Sequence, residues 1–282
     1  MAQSDTEVTV TGTNFSVELQ NGVIARIVKD GLTVLDAPMK LNCWRAPTDN
    51  DGIIGFSPRL AGDWADKLVH TMRFGCRSVE VTDTPACVTV KAIGKFLPES
   101  HVWGFDTVIE YRIAAGGVMD LAFDLKPYGT IGPKVLPRVG IYFQLAEDYT
   151  RCEWLGRGPG DSYADRKACA PIGLYAADVT EMNFQYDVPQ ETGNHEDCRR
   201  LTVRGSGRAL RIEGAFAFSF HDFSLEDLTH ARHFDELDKT AEKYLYIDHK
   251  HRGLVSNSCG PQPEAIYELP NGAFAWQFRL IP

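Results

Sequence analysis

Two histidines and a cysteine are the residues whose types could hold a metal ion. His249 and His251 alternate along a predicted strand, which points both side chains to one face, and Cys259 follows shortly after. Imidazole and thiolate are ligands that zinc accepts. However, the spacing matches no established zinc pattern, and Lys250 and Arg252 add positive charge beside the site. We therefore interpret the two histidines as polar residues on a sheet face.

The short motifs of nucleophilic and phosphate chemistry are missing from the sequence, which has no Gly-x-Ser-x-Gly and no His-Glu-x-x-His. Gly156–Gly160 is glycine-rich, but it lacks the Lys-Ser/Thr of a phosphate loop and a following helix pattern. We predict a loop between strands there. Carboxylates are plentiful, and retaining glycoside hydrolysis needs only two carboxyl groups about 5–5.5 Å apart. The sequence does not show which two would meet.

The elements that position these residues are predicted from alternating apolar and polar residues interrupted by Gly, Asn and Pro. Asn21-Gly22 is a favoured two-residue hairpin turn between two such runs. Gly116-Gly117 is the turn of a second hairpin, which spans residues 106–125. Further strands are predicted at Cys87–Ile93, Arg138–Leu145, Leu201–Val203, Ala209–Ile212, Ala215–Phe220, Tyr244–Asp248 and Ala273–Leu280.

Helix signals are few. Ser224 is a plausible N-cap with Asp227 three residues later, and Leu225, Leu228 and Ala231 have the spacing of one apolar helix face. A second short helix is predicted from Leu60 to Leu68. No Pro-, Ser- or Gly-rich linker and no repeat of fixed period divides the chain. More than ten short strands predict an all-β fold, a large antiparallel sandwich or barrel.

Composition limits the possible partners. The chain has 282 residues, of which 44% are hydrophobic and 24% charged, with a formal net charge of −9. This charge argues against a nucleic-acid or anionic-membrane surface, and no apolar run is long enough to span a bilayer. The seven cysteines are widely spaced and form no Cys-x-x-Cys pair. We expect reduced thiols and a cytoplasmic location.

Four segments resemble the carboxy-terminal, small-chain domain of the β-galactosidases of glycoside hydrolase family 2. They occur in the family's order and are Trp44–Gly52, Glu153–Lys167, Tyr186–Gly193, and Asp248–Gly253 followed by Ser258–Pro261. The sequence departs from the family pattern at three of these positions. Asp161 and Ser162 stand where the family usually has Glu and Asn, and Thr192 replaces an amide.

The resemblance implies a fold and a domain division. The family's domain is an antiparallel supersandwich with galactose mutarotase-like architecture, here expected over residues 14–282 after an N-terminal extension of residues 1–13. In the family the catalytic glutamates lie on a separate (β/α)8 barrel, and this chain lacks the eightfold βα pattern. The resemblance therefore implies a domain that packs on that barrel. Parent enzymes often use Mg²⁺ and Na⁺ in the catalytic domain, and we expect no cofactor in this chain.

The resemblance also implies that one loop reaches the rim of the galactoside pocket. That loop corresponds to residues 256–260, where the best-known members stack a Trp on the sugar. Here Cys259 takes the Trp position, so stacking is lost, and Asn257 and Ser258 are adjacent hydrogen-bonding candidates.

Two other segments of the resemblance leave alternatives open. Asp49, Asn50 and Asp51 could approach the pocket or accept backbone amides of the barrel domain, or could form a self-capped Asx turn, and we favour the turn. Gln190 and Glu191 suit sugar contact or an interdomain seam equally well. Arg45 is expected to be an interior or interface charge. Trp154, Tyr163, Asp165 and Arg166 are expected to belong to a packed loop with an Asp–Arg pair.

The predicted function is that of an accessory domain of a β-galactosidase, which hydrolyses terminal β-D-galactosides. Its expected partners are a β-galactoside, the catalytic barrel and, as an open possibility, a second copy of the chain, but no nucleic acid and no membrane. This chain alone is expected to be inactive. The alternatives are a free-standing carbohydrate-binding module and an aldose epimerase-like enzyme, for which His195-Glu196 is the adjacent acid/base pair.

Overall fold

The computed structural model of the chain describes residues 2–3, 6–52, 60–237, 239–254 and 262–282. Within these ranges the chain is built mostly of antiparallel strands, which form two sheets. The predicted all-β antiparallel class is therefore confirmed. No helix in these ranges has the length and apolar composition needed to cross a bilayer.

The smaller sheet is a meander of five strands in chain order. Its strands are β1 Ala2–Gln3, β2 Val8–Thr11, β3 Phe15–Gln20, β4 Val23–Lys29 and β5 Leu32–Leu35. The β3–β4 turn has the predicted left-handed pair, with φ of 49° at Asn21 and 72° at Gly22. Residues 8–11, within the segment expected as an N-terminal extension, pair with β3 and so belong to this sheet.

The larger sheet contains the other twelve strands. They are β6 Lys40–Asn42, β7 Arg73–Asp83, β8 Cys87–Leu97, β9 Trp103–Ala114, β10 Met119–Gly129, β11 Arg138–Leu145, β12 Arg151–Arg157, β13 Ile172–Asp178, β14 His195–Gly205, β15 Arg208–His221, β16 Lys243–His251 and β17 Phe274–Ile281. Two helices, α1 Leu60–Asp66 and α2 Leu225–His230, lie between strands. Single 3₁₀ turns occur at Asp49–Asp51, Val69–Thr71, Val179–Glu181, Phe234–Glu236 and Ala265–Tyr267.

The larger sheet branches at β15. β14 pairs with most of one edge of β15, whereas the other edge pairs first with β17, through Gly214, and then with β16, from Ala217 onward. One branch continues as β17-β10-β9-β8-β7, and the other as β16-β11-β6. Gly214 has a φ of +147°, which L side chains rarely adopt. The sequence had predicted separate strands at Ala209–Ile212 and Ala215–Phe220. This was wrong, because Gly214 turns one continuous strand from its first partner to its second.

One contiguous apolar cluster joins the two sheets and both branches. Val17 and Leu19 enter it from the smaller sheet, and Phe105 and Ile141 from the two branches. Each of these side chains is no more than 1% exposed. The predicted 106–125 hairpin contributes its alternating residues, Ile109 to Leu125, to the same cluster. Because the cluster is continuous, the branches behave as parts of one core.

Both predicted helices are present. Ser224 caps α2 as expected: its hydroxyl accepts from the Asp227 amide at 3.0 Å, and the Asp227 carboxylate accepts from the Ser224 amide at 3.1 Å. Leu225 and Leu228 face inward at 5% and 2% exposure. The other helix, α1, ends at Asp66, two residues before the predicted end, and the Val69–Thr71 turn follows it.

The branch point gives a stability prediction. A Cβ at residue 214 would lie 3.2 Å from the Phe278 Cβ in a backbone conformation that suits glycine. We expect Gly214→Ala to lower the free energy of unfolding by about 1–3 kcal/mol, measured by urea denaturation. Gly75→Ala is the control, because φ at that strand position is outside the left-handed region. Among the described residues, an added Cβ would meet only the Lys95 carbonyl oxygen, at 4.0 Å. Equal losses in both variants would contradict this role of Gly214.

Candidate functional site

The turn formed by Thr48 to Gly52 is held by its own side chains. The carboxylate of Asp51 accepts hydrogen bonds from the Thr48 amide at 2.9 Å and from the Thr48 hydroxyl at 3.1 Å. Gly52 ends the turn with φ of 102°. Asp49 is exposed and Asn50 half-buried. The predicted self-capped turn is therefore confirmed, and it presents Asp49 and Asn50 while Asp51 points inward.

Asp51 lies between two buried arginines. Arg45 donates from Nη2 to Oδ1 at 2.8 Å and to Oδ2 at 3.0 Å, and Arg252 donates from Nη1 to Oδ1 at 3.2 Å. All three side chains are fully buried. Arg45 is thus an interior charge, as predicted. Because buried charges are costly unless paired and hydrogen-bonded, this arrangement fixes the turn relative to residue 252.

Arg252 also binds residues that follow the candidate rim loop in the chain. Its guanidinium donates to the Glu268 carboxylate at 2.8 and 2.9 Å and to the side-chain oxygen of Gln262. Nearby, the Leu254 amide donates to Asp165 at 3.0 Å. Residues 252–254 and 262–268 are therefore tied together. The candidates Cys259, Asn257 and Ser258 belong to residues 255–261, which lie outside the described residues.

Three of the predicted site residues meet beside these stems. The Asp49 amide donates to Gln190 Oε1 at 3.3 Å, and Asn50 Nδ2 donates to the Leu254 carbonyl oxygen, also at 3.3 Å. Gln190 is half-buried. These amide and carboxylate groups come from two distant segments and form one polar edge, which contacts Leu254 beside the predicted rim loop. Such groups can hydrogen-bond the hydroxyls of a sugar.

Glu191, the remaining candidate, is fully buried. Its carboxylate lies 3.4 Å from His251 Nε2 and 3.6 Å from Arg138 Nη1. Burial by itself would raise the pKa of Glu191, but Arg138 and His251 outweigh it and lower the pKa to about 2. Arg138 also donates from Nε to Asp248 at 3.1 Å. Glu191 therefore stays ionised and belongs to a second layer of charges beneath the polar edge.

The second layer includes residues that no motif had singled out. Arg138 and Ser219 lie on adjoining parts of the sheet, and Arg138 Nη2 donates to the Ser219 hydroxyl at 3.3 Å. The one sequence feature that could have indicated Arg138 is its position as a charged residue at the start of the apolar strand β11. The two layers are joined through Arg45, whose Nη1 donates to the Arg252 carbonyl oxygen at 2.8 Å and lies 3.3 Å from His251 Nδ1.

The expectation that His249 and His251 share one face was wrong. Val139 pairs with Lys250 and Gly140 with Asp248, so a bulge leaves His249 without an opposite residue and shifts the alternation. The His249 ring stacks on Trp276 with 5.3 Å between centroids, whereas His251 contacts Glu191. Among the described residues, no group of three or more His, Cys, Asp or Glu is arranged to hold a metal ion.

The acid/base pair considered for an epimerase is engaged within the chain. The His195 ring nitrogen Nδ1 lies 3.1 Å from the Arg157 carbonyl oxygen, and the ring stacks on Phe218. Burial lowers the pKa of His195 to about 4. Glu196 lies 3.3 Å from the Lys167 ammonium and accepts from Asn194 at 3.2 Å. Both side chains therefore support the connection between β12 and β13, through Arg157 and Lys167.

The predicted packed loop begins after Arg157, whereas Trp154 lies in strand β12. Trp154 is 2% exposed and Tyr163 fully buried. Arg166 forms an ion pair with Asp161, which was not among the residues named for the predicted pair, and Asp165 accepts from the Leu254 amide. Gly156 and Arg157 end strand β12, and the following residues connect it to β13, so the glycine-rich run is mainly a connection between strands.

Comparison with known proteins decides the family. The chain matches the family described as beta galactosidase small chain over residues 9–280. It belongs to that family. The resemblance carried by the four motifs is therefore confirmed, and the small-chain family accounts for nearly all of the sequence.

Curated relatives agree with this assignment. Beta-galactosidase from Kluyveromyces lactis is 34% identical over 244 residues, which cover 84% of this chain and 23% of that protein. Beta-galactosidase from Actinobacillus pleuropneumoniae is 30% identical over 269 residues, 95% of this chain and 26% of that protein. The chain thus spans about a quarter of the length of the curated relatives it matches. Among solved structures, a putative aldose 1-epimerase from Escherichia coli K12 is similar over 99% of both chains, with a TM-score of 0.48 and 11% identity.

The buried arginine pair gives the prediction for this small-chain site. Asp51→Asn keeps the shape of the side chain and leaves Arg45 and Arg252 without their shared carboxylate. We expect the free energy of unfolding to fall by about 3–5 kcal/mol in urea denaturation, because an uncompensated buried charge remains. The matched control is Asp120→Asn, which breaks a pair with Arg279 that is about half exposed. That loss should be at most about 1 kcal/mol. Similar losses in both variants would show that burial does not make the Asp51 network more important for stability than an exposed ion pair.

Proposed function

We propose that this chain is the part of a β-galactosidase that completes the rim of the galactoside pocket and packs on a catalytic barrel carried elsewhere in the enzyme. The supporting observation is the polar edge. Asp49, Asn50 and Gln190 meet beside Leu254 and Gln262, which flank the loop that the family places at the sugar. Membership of the small-chain family and the names of the curated relatives give this edge its substrate class.

The chain's contribution to hydrolysis would be positional. The amide groups of Asn50 and Gln190 and the carboxylate of Asp49 would bind sugar hydroxyls and orient the galactoside, while general acid and nucleophile are supplied by the barrel. Arg252 would be a positioning residue. It links Asp51 of the turn to Gln262 and Glu268, which follow the 255–261 segment. The Mg²⁺ and Na⁺ that parent enzymes often use would be bound by the catalytic portion.

Exposed apolar side chains support a contact surface for the catalytic portion. Phe184 and Val188, in the segment that leads to Gln190, are 64% and 47% exposed, and Ile172 and Leu174 on the edge strand β13 are 61% and 70% exposed. Apolar side chains exposed together on a protein surface are typical of interaction sites. We assign this apolar surface, defined by Ile172, Leu174, Phe184 and Val188, to the contact with the barrel.

The free cysteines support a cytoplasmic location. The six cysteines among the described residues are free thiols, two of them only half-buried and one exposed. Free thiols persist in reducing compartments. A cytoplasmic enzyme is the proposal that fits them.

The first test of the proposed function is reconstitution. The chain alone should show no turnover of a chromogenic β-galactoside, whereas mixing it with the catalytic portion of the parent enzyme should restore hydrolysis. Light scattering should show the mass of a complex, with or without dimers of the free chain, and we expect its interface to bury at least ~1,200 Å². Leu174→Asp and Phe184→Asp should weaken this complex.

Ile131→Asp is the control for reconstitution, because Ile131 is a comparably exposed apolar residue, at 52%, outside the apolar surface. Turnover by the chain alone would contradict the proposal. So would failure of the wild-type chain to bind the catalytic portion. Strong galactoside binding at the polar edge of the chain alone, abolished by Gln190→Ala, would favour the carbohydrate-binding module instead.

The second test concerns Cys259. If residues 256–260 form the rim, Cys259 should react with a thiol reagent in the folded chain. The described cysteines provide internal controls, since Cys43, Cys152 and Cys198 are at most 1% exposed. Burial raises the pKa of Cys152 to about 12, which suppresses its reactive thiolate. Cys87, the first residue of strand β8, is only half-buried and cannot serve as such a control.

The labelling experiment therefore uses a chain with Cys76→Ser, Cys87→Ser and Cys169→Ser, which removes the other reachable thiols. Mass spectrometry should find the adduct on Cys259 in the folded protein, and a bound galactoside should slow its formation in the assembled enzyme. Resistance of Cys259 until the protein unfolds would show that the loop is interior.

A further inference from the structure

A cleft lies beside Trp44, in the segment that leads to the Thr48–Gly52 turn. It is a cleft of about 900 Å³ between strand β6, the start of β7, the α1 region and helix α2. Alternation along the chain separates it from the polar edge, because Trp44 lines the cleft whereas Arg45 enters the buried charge network. Its volume is within the range of small-molecule sites, about 300–1,000 Å³.

Trp44 is fixed in one orientation at the cleft. The Asn42 side chain accepts from the Trp44 amide at 3.0 Å and donates to the Trp44 carbonyl oxygen at 2.9 Å. The indole Nε1 donates to the Thr229 hydroxyl at 3.0 Å, and the His70 ring meets the indole edge-on at 5.4 Å. A half-buried aromatic side chain tied at both ends provides a rigid apolar wall.

The floor of the cleft is a tyrosine platform, defined here as Tyr142, Tyr244 and Tyr246. Tyr142 pairs with Tyr246 and Gln144 with Tyr244 across strands β11 and β16, so their side chains share one face of the sheet. The rings of Tyr142 and Tyr246 are 5.1 Å apart and tilted by 33°. Tyr142, Gln144 and Tyr244 remain half-buried and line the cleft. The platform thus combines aromatic faces with an amide between them.

Among the described residues, the permanent charges that line the cleft are two cations and one carboxylate. His70 and His230 add two imidazoles, of which His230 Nδ1 lies 2.9 Å from the Glu226 carbonyl oxygen. The Lys40 ammonium lies 5.4 Å from the centre of the Tyr142 ring, and Arg73 Nη1 donates to the Met72 carbonyl oxygen at 2.8 Å. Glu226 contributes one carboxylate. Uncharged hydrogen-bonding groups are more numerous and include the side chains of Gln20, Asn21, Gln144 and Thr229. This lining lacks the cation cluster that a phosphate needs and is too polar for a purely apolar ligand.

From this combination we infer that the cleft binds a neutral saccharide. Sugar rings have an apolar C–H face and a rim of hydroxyls. The tyrosine platform and Trp44 can pack against the C–H face, and the side-chain amides can hydrogen-bond the hydroxyls. The inference rests on the cleft's own residues and stands whether or not the rim assignment holds. The chain would then bind a saccharide at a site separate from the polar edge.

The test is titration of the 282-residue chain with lactose, galactose and maltotriose, followed by nuclear magnetic resonance and by tryptophan fluorescence. At least one of these sugars should bind with a Kd below about 10 mM. Tyr142→Ala and Gln144→Ala should each raise Kd about five-fold or more, since each removes one contact. Tyr142→Leu, which preserves bulk beneath the cleft, should weaken binding in the same direction. Circular dichroism and urea denaturation confirm that each variant is folded.

Two controls separate this site from the others. Tyr128→Ala removes a 38% exposed tyrosine that does not line the cleft and should leave Kd unchanged. Gln190→Ala alters only the polar edge and should also leave Kd unchanged, whereas it should weaken galactoside hydrolysis in the reconstituted enzyme. Loss of sugar binding in Gln190→Ala with no effect of Tyr142→Leu would overturn the inference. Binding of inorganic phosphate or an apolar dye in place of all three sugars would also overturn it.

Discussion

Two arginines share one carboxylate in the interior of this protein, and the geometry of the candidate site depends on that arrangement. Arg45, Asp51 and Arg252 are each withdrawn from water, so any displacement of one leaves charge without solvent or partner. A pair of this kind adds little stability compared with apolar residues of equal size, but it strongly disfavours other arrangements of the same chain. It is therefore suited to fixing where the turn and the stems of the 255–261 segment lie.

The second charged layer extends this constraint across the sheet. Arg138 and Asp248 come from neighbouring strands, and Glu191 comes from the loop that also carries Gln190. Since Arg45 and His251 connect the layers, the polar edge is supported from below by side chains that need not touch a ligand. Trp44 extends from the same short segment into the saccharide cleft. One stretch of backbone thus supports two chemically different surfaces.

The sequence anticipated the features that depend on local patterns. Alternation and turn residues predicted the hairpins, Ser224 and Asp227 predicted the start of α2, and the four motifs predicted the family. The features it missed depend on contacts between distant residues. Arg138 and Asp248 are 110 positions apart, and nothing near either one indicates the other. The bulge at His249 and the continuity of β15 through Gly214 arise from how neighbouring strands pair. For that reason the shared face of the two histidines was predicted wrongly.

The position of β17 has a consequence for the order of assembly during protein synthesis. This strand, residues 274–281, is the bridge between β15 and the branch formed by β10, β9, β8 and β7. The ribosome delivers that branch more than a hundred residues before the strand that joins it to β15. During this interval the edge of β10 that later receives β17 has no sheet partner. Unpaired edges attract other chains, so a nascent polypeptide of this design depends on chaperones, or on rapid elongation, until its residues near 281 emerge.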